Sequence, residues 1–152
     1  MFAPKHLKSA FTALLLVALS GCSTTAVLDS LKTEPKKPAI ELSSLYVRGI
    51  FNWWEADTNY QLKPIGADRF GVEISLIADG QPYDFKLADD VWSNYTNCGA
   101  ADFIQTIRPN NTYELYCGED SQNLQFTPEE TGDYWIVVYP TNRTLLLTVT
   151  RR

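Results

Sequence analysis

Two indoles adjoin at Trp53-Trp54, where the stretch from Leu45 to Trp54 runs into a turn. A third, Trp92, closes a second stretch, Tyr83 to Trp92, whose centre holds Lys86. An indole left in water offers a flat apolar face. Lysine, asparagine, aspartate and backbone groups nearby offer hydrogen bonds. That combination suits a ligand with an apolar face and a hydroxyl rim, as a pyranose ring has. Trp54 and Trp92 sit in turns and are the expected platforms. Asn52, Asp89 and Asn94 are weaker candidates for the polar rim. Trp53 is expected to pack against its neighbours, and Trp135, inside an apolar run, to lie in the core. Lys86 has a rival reading as a plain surface lysine.

Other chemistries are poorly served. The sole histidine, His6, lies in the N-terminal segment. Without it there is no Ser-His or Cys-His nucleophile pair, and the commonest metal ligand is missing. No Cys-x-x-Cys pair offers a zinc site, and no phosphate loop occurs, so neither metal nor cofactor is expected and the chain does not read as an enzyme. Asp89 and Asp90 are adjacent in a turn, which suits solvated charges better than a hydrolytic pair. The formal charge is −5. An acidic domain with no basic stripe makes nucleic acid an unlikely partner.

The elements that must position these groups read as β. Leu45, Val47 and Gly49 alternate with Tyr46, Arg48 and Ile50. Phe70, Val72, Ile74 and Leu76 share a face, and so do Tyr83, Phe85 and Leu87, which turns Lys86 away from the core. Further strands are expected at Thr112–Cys117, Gln122–Phe126, Tyr134–Tyr139 and Arg143–Thr150. Asp79-Gly80-Gln81-Pro82 and Pro140-Thr141-Asn142 read as turns. No segment from Glu41 onward sustains a helical period. About seven short strands separated by turns predict an all-β, immunoglobulin-like sandwich over 41–152.

The N-terminus reads as an address. Lys5, His6 and Lys8 precede the apolar run Ala10–Leu19, which is shorter than the ~20 residues a spanning helix needs and fits a signal peptide over 1–21. The run closes with Leu19-Ser20-Gly21-Cys22, which resembles the bacterial lipobox. The resemblance implies an acylated Cys22 holding the protein to a lipid bilayer. With Ser23 rather than Asp after the Cys, it implies the outer membrane. An ordinary cleaved signal with a chance Cys is the alternative. Residues 22–40 then comprise the lipidated Cys and a flexible linker, and Ser23 to Ala39 as a coil has an end-to-end distance of roughly 23 Å. The remaining cysteines, Cys98 and Cys117, form an exported pair, for which a structural disulfide is expected.

Two motifs carry a second resemblance. Gly49-Ile50-Phe51-Asn52-Trp53-Trp54, followed by Tyr83-Asp84-Phe85-Lys86-Leu87-Ala88-Asp89-Asp90-Val91-Trp92, is similar to the CBM48-type glycogen- and starch-binding modules and to the small sandwich modules attached to pullulanases. Thr131-Gly132-Asp133-Tyr134 with Thr144–Val149 resembles the closing hairpin of the latter. The resemblance implies Trp54 and Trp92 as stacking platforms, Lys86 as hydroxyl donor and a polysaccharide of α-glucan type as ligand. Members of that family also include modules that bind no glycan. An envelope lipoprotein that docks a protein partner is therefore the second expectation. The stretch between Lys86 and Trp92 is a residue shorter than in many relatives, and the insert from Asn97 to Cys117 has no counterpart.

Overall fold

The structure, a computed structural model, describes residues 39–152. The expected signal peptide, Cys22 and all but the end of the linker lie outside the described residues. Ten strands follow in chain order: β1 (Tyr46–Gly49), β2 (Lys63–Gly66), β3 (Arg69–Leu76), β4 (Tyr83–Ala88), β5 (Cys98–Gly99), β6 (Gln105–Ile107), β7 (Thr112–Cys117), β8 (Leu124–Phe126), β9 (Gly132–Pro140) and β10 (Leu145–Arg151). Among the described residues the only helical turns are three-residue 3-10 segments, Leu42–Ser44, Ile50–Asn52 and Thr58–Tyr60.

One layer runs β2-β3-β9-β10-β7, antiparallel throughout. The second is built on β4, which pairs with β1 along one edge and with β8 and β5 along the other. β6 lies outside β8 and parallel to it. β7 belongs to both layers: Thr112–Leu115 pairs with β10, while Tyr116 and Cys117 pair with β5. Alternation decides which side chains meet between the layers. Val72, Ile74, Ile136, Val138, Leu147 and Val149 from the first face Val47, Phe85, Leu87, Leu124 and Phe126 from the second, in one buried cluster. Two layers around one core form a sandwich. Each large side chain so buried contributes on the order of 1.5–3 kcal/mol.

The expected count of about seven strands is corrected to ten. The seven read from the sequence correspond to β1, β3, β4, β7, β8, β9 and β10. The three that escaped lack a hydrophobic period. β2 reads Lys-Pro-Ile-Gly and is exposed along its length; its Pro64 is tolerated because an edge strand need not donate on its outer side. β5 has two residues and β6 three. Trp135 also departs from expectation. In β9 it stands opposite Glu73 and Thr150 on the outward face, half-buried, while its neighbours Tyr134 and Ile136 point inward.

Cys98 and Cys117 form the expected disulfide, between directly paired residues of β5 and β7. It closes the chain over a separation of 19 residues. Beside it Gly99 is held by sterics: a Cβ there would sit 2.0 Å from the Gln122 carbonyl oxygen, because the 118–122 loop crosses directly above. Reduction of the disulfide, or a Cys98→Ala/Cys117→Ala double variant, is expected to lower unfolding stability by about 3 kcal/mol. A urea titration with and without reductant measures this.

Candidate functional site

β1 and β4 come together at Gly49, where a Cβ would lie 2.6 Å from the Asp84 carbonyl oxygen and 2.9 Å from the Phe85 Cβ. Only glycine permits that approach. The chain then leaves β1 through the Ile50–Asn52 turn, which Asn52 organises from inside. Its Oδ1 accepts from the Gly49 N–H at 2.8 Å, and its Nδ2 donates to the carbonyls of Val47 at 3.0 Å and Glu55 at 3.3 Å. Asn52 is buried. The structure therefore places it beneath the turn and not on a polar rim, because the Gly49 N–H and the Val47 carbonyl that it serves are themselves buried.

With that turn fixed, the Trp54 N–H bonds back to the Gly49 carbonyl at 2.9 Å. Trp53 (φ 55°) and Trp54 (φ 63°) both take the left-handed conformation, and so does Trp92 (φ 58°). That region costs a bulky residue on the order of 1–2 kcal/mol. Successive left-handed residues send the two indoles apart. Trp54 turns toward Trp92: the ring centroids lie 6.3 Å apart, tilted by 41°, with both residues half-buried. Trp53 turns to solvent and is 86% exposed.

The cation beside the platforms is Arg48. It is 6% exposed, and its guanidinium carbon lies 4.1 Å from the Trp92 ring centre. Nε donates to the Trp54 carbonyl at 2.6 Å, and one terminal nitrogen donates to the carbonyls of Asp89 at 2.7 Å and Asp90 at 3.3 Å. Burial pulls the guanidinium below its ordinary range, while the nearby carboxylates of Glu55, Asp89 and Asp90 pull the other way.

Lys86 stands opposite Arg48 in the β1–β4 register, on the face away from the core as alternation predicted. The expectation that its ammonium is open to a ligand between the rings is corrected. Lys86 is 7% exposed, covered by the loop that follows β7, and its Nζ donates to the Ser121 carbonyl at 2.5 Å. Burial draws its pKa below the ordinary lysine range. The reach of Lys86 ends across β5, where its Cε lies 3.3 Å from the position a Cβ on Gly99 would take.

Asp89 and Asn94 belong to the loop that carries Trp92. Asp89 Oδ1 accepts from the Ser93 N–H at 2.8 Å. Burial pushes the Asp89 carboxyl up, but hydrogen bonds with Ser93, Thr96 and Val91 outweigh it and hold the group below its usual range. Asn94 is exposed and donates to Glu119 at 3.4 Å, across to the 118–122 loop. Thus Trp54 and Trp92 meet, Asp89 lies at their border, Asn52 and Lys86 are withdrawn, and Asn94 bridges two outer loops. Arg48 and the exposure of Trp53 were not anticipated. Arg48 had a signal in its place before Gly49, on the same strand face as Lys86 once the two motifs pair. Among the described residues no group of three or more His, Cys, Asp or Glu is placed to hold a metal ion.

No family model matches the chain, and no curated protein matches it. A solved structure described as "Ligand induced structure of AmyP-SBD", a starch-binding domain, has a similar fold: the TM-score is 0.54 at 20% identity, over 97% of this chain and 96% of that one.

Because Asn52 serves three backbone partners in a buried place, Asn52→Ala is expected to destabilise the protein by about 2–3 kcal/mol, through the polar groups left unpaired. Chemical denaturation monitored by tryptophan emission would register the loss.

Proposed function

We propose that the chain is a non-catalytic carbohydrate-binding module with an immunoglobulin-like sandwich, that its ligand is an α-glucan, and that Trp54 and Trp92 hold the sugar. The observation that carries this reading is the Trp54–Trp92 pair, 6.3 Å apart and half-buried, with Arg48 stacked on the Trp92 ring and bonded to the Trp54 carbonyl. Two adjacent rings present an apolar wall of the kind on which sugar faces stack. The fold similarity to a starch-binding domain supports the same reading. Acceptors for the sugar hydroxyls would come from the rim of this wall, from the carboxylates of Asp89 and the exposed Asp90 and Glu55. Lys86 enters as a support for the loop above it.

The module would be carried on an acylated Cys22 in the outer membrane, and the support for this is the Leu19-Ser20-Gly21-Cys22 tetrapeptide with its basic and apolar prelude. The second reading, a lipoprotein that docks an envelope protein, is favoured by the exposed pair Phe103 (83%) and Ile104 (53%) between β5 and β6.

Affinity electrophoresis in glycogen or amylopectin gels tests the first reading. Retardation is expected for the parent protein, reduced at least about tenfold in affinity in Trp54→Ala or Trp92→Ala, with little dependence on salt. Unchanged mobility across a polysaccharide panel, with a stoichiometric protein recovered from native membranes, would favour the second. Separately, labelling with a palmitate analogue is expected to mark the parent protein, and Cys22→Ala is expected to abolish both the label and membrane fractionation.

A further inference from the structure

We infer that Trp53 is a separate subsite for a longer polysaccharide chain, distinct from the Trp54–Trp92 wall; this rests on the glucan-binding reading above. Trp53 occupies a position that folding alone would give to another residue. Its left-handed backbone favours glycine or asparagine. Its indole, 86% exposed, gains almost nothing from the core. Both effects oppose a tryptophan there, and neither is offset by packing. Backbone strain of this kind, held by the surrounding structure, points to a functional demand.

The surrounding structure does hold it. Asn52 before it is buried and bonded to three backbone groups, and the Trp54 N–H after it is tied to Gly49. The indole is thus a solvent-facing plate on a rigid mount. Consecutive Cα atoms lie ~3.8 Å apart, so Trp53 and the Trp54–Trp92 wall are neighbours that face different ways. A ligand of one or two sugars would fill the wall alone. A polymer leaving the wall around the turn would meet Trp53 next. Ile50, exposed on the same turn, extends the apolar border.

A lipid surface is the other natural partner of an exposed indole. The charges disfavour it: Glu55 and Asp57 follow at once, and no lysine or arginine occurs between Gly49 and Leu62. An anionic bilayer would be repelled from this turn.

The test compares full-length protein in detergent with Trp53→Ala and Trp53→Phe, on amylopectin and on maltotriose. Trp53→Ala is expected to weaken amylopectin binding roughly three- to tenfold, the range of one aromatic contact. Maltotriose affinity should stay unchanged, and Trp53→Phe should recover most of the polymer affinity. Parent-like binding of both ligands by Trp53→Ala would overturn the inference. So would equal loss on both, which would make Trp53 part of the wall. Parent protein that binds neither ligand would overturn the glucan reading itself and this inference with it. In the unacylated Cys22→Ala background without detergent, retention on anionic vesicles that Trp53→Ala abolishes would replace the sugar with a membrane.

Discussion

A guanidinium has been taken out of water at the edge of this sandwich and given almost nothing but backbone to bond with. Among the described residues Arg48 has no carboxylate in ion-pair contact, and the ion pairs are Arg151–Glu130 and Arg152–Glu73 at strand β10 and its end. A buried charge without adequate partners costs several kcal/mol. Arg48 avoids that cost through three carbonyl oxygens and an indole face. Those acceptors come from two loops far apart in sequence, the one after β1 and the one after β4. Arg48 can be satisfied only when both loops are in place, so one side chain ties together the two loops that carry Trp54 and Trp92. A lysine would not do the same, because a single ammonium lacks the planar fork that reaches all of them.

Lys86 repeats the arrangement one strand away. It too is roofed over and bonded to a carbonyl, that of Ser121. The outward face of β1, β4 and β5 is therefore not a solvated sheet surface. It is a second, polar interior, closed by the 89–97 and 118–122 loops, with the small residues Ala88 and Gly99 buried beneath them.

This explains how far the sequence could be read. Period-two alternation located the seven strands with an apolar face, and it gave the correct side for Lys86. It could not show that the side away from the core was covered as well, since alternation distinguishes two faces and not the presence of a lid. The same limit misplaced Asn52, whose polarity suggested a rim while its partners were backbone groups under the turn. Trp53 and Trp135 failed for opposite reasons. Adjacent indoles in a left-handed pair diverge, which sent Trp53 outward. In β9, with apolar residues on both faces, the sequence alone did not say which face was the core. The disulfide was legible because export and two remaining cysteines left few choices. Strands β2, β5 and β6 were not, because each is defined by its partner and not by its own pattern.

β7 spends its first four residues in one layer and its last two in the other, and the Cys98–Cys117 bond is placed on the second part. Peeling either layer from the other would tear hydrogen bonds within this single strand. The two layers therefore melt together as one cooperative unit. If the chain is held by the proposed acyl anchor, force applied there would pass through the Leu42–Ser44 turn to β1, an edge strand of four residues joined to β4. The turn that bears Trp53 and Trp54 hangs directly from that strand, so such an anchor would couple tension to the geometry of the aromatic wall.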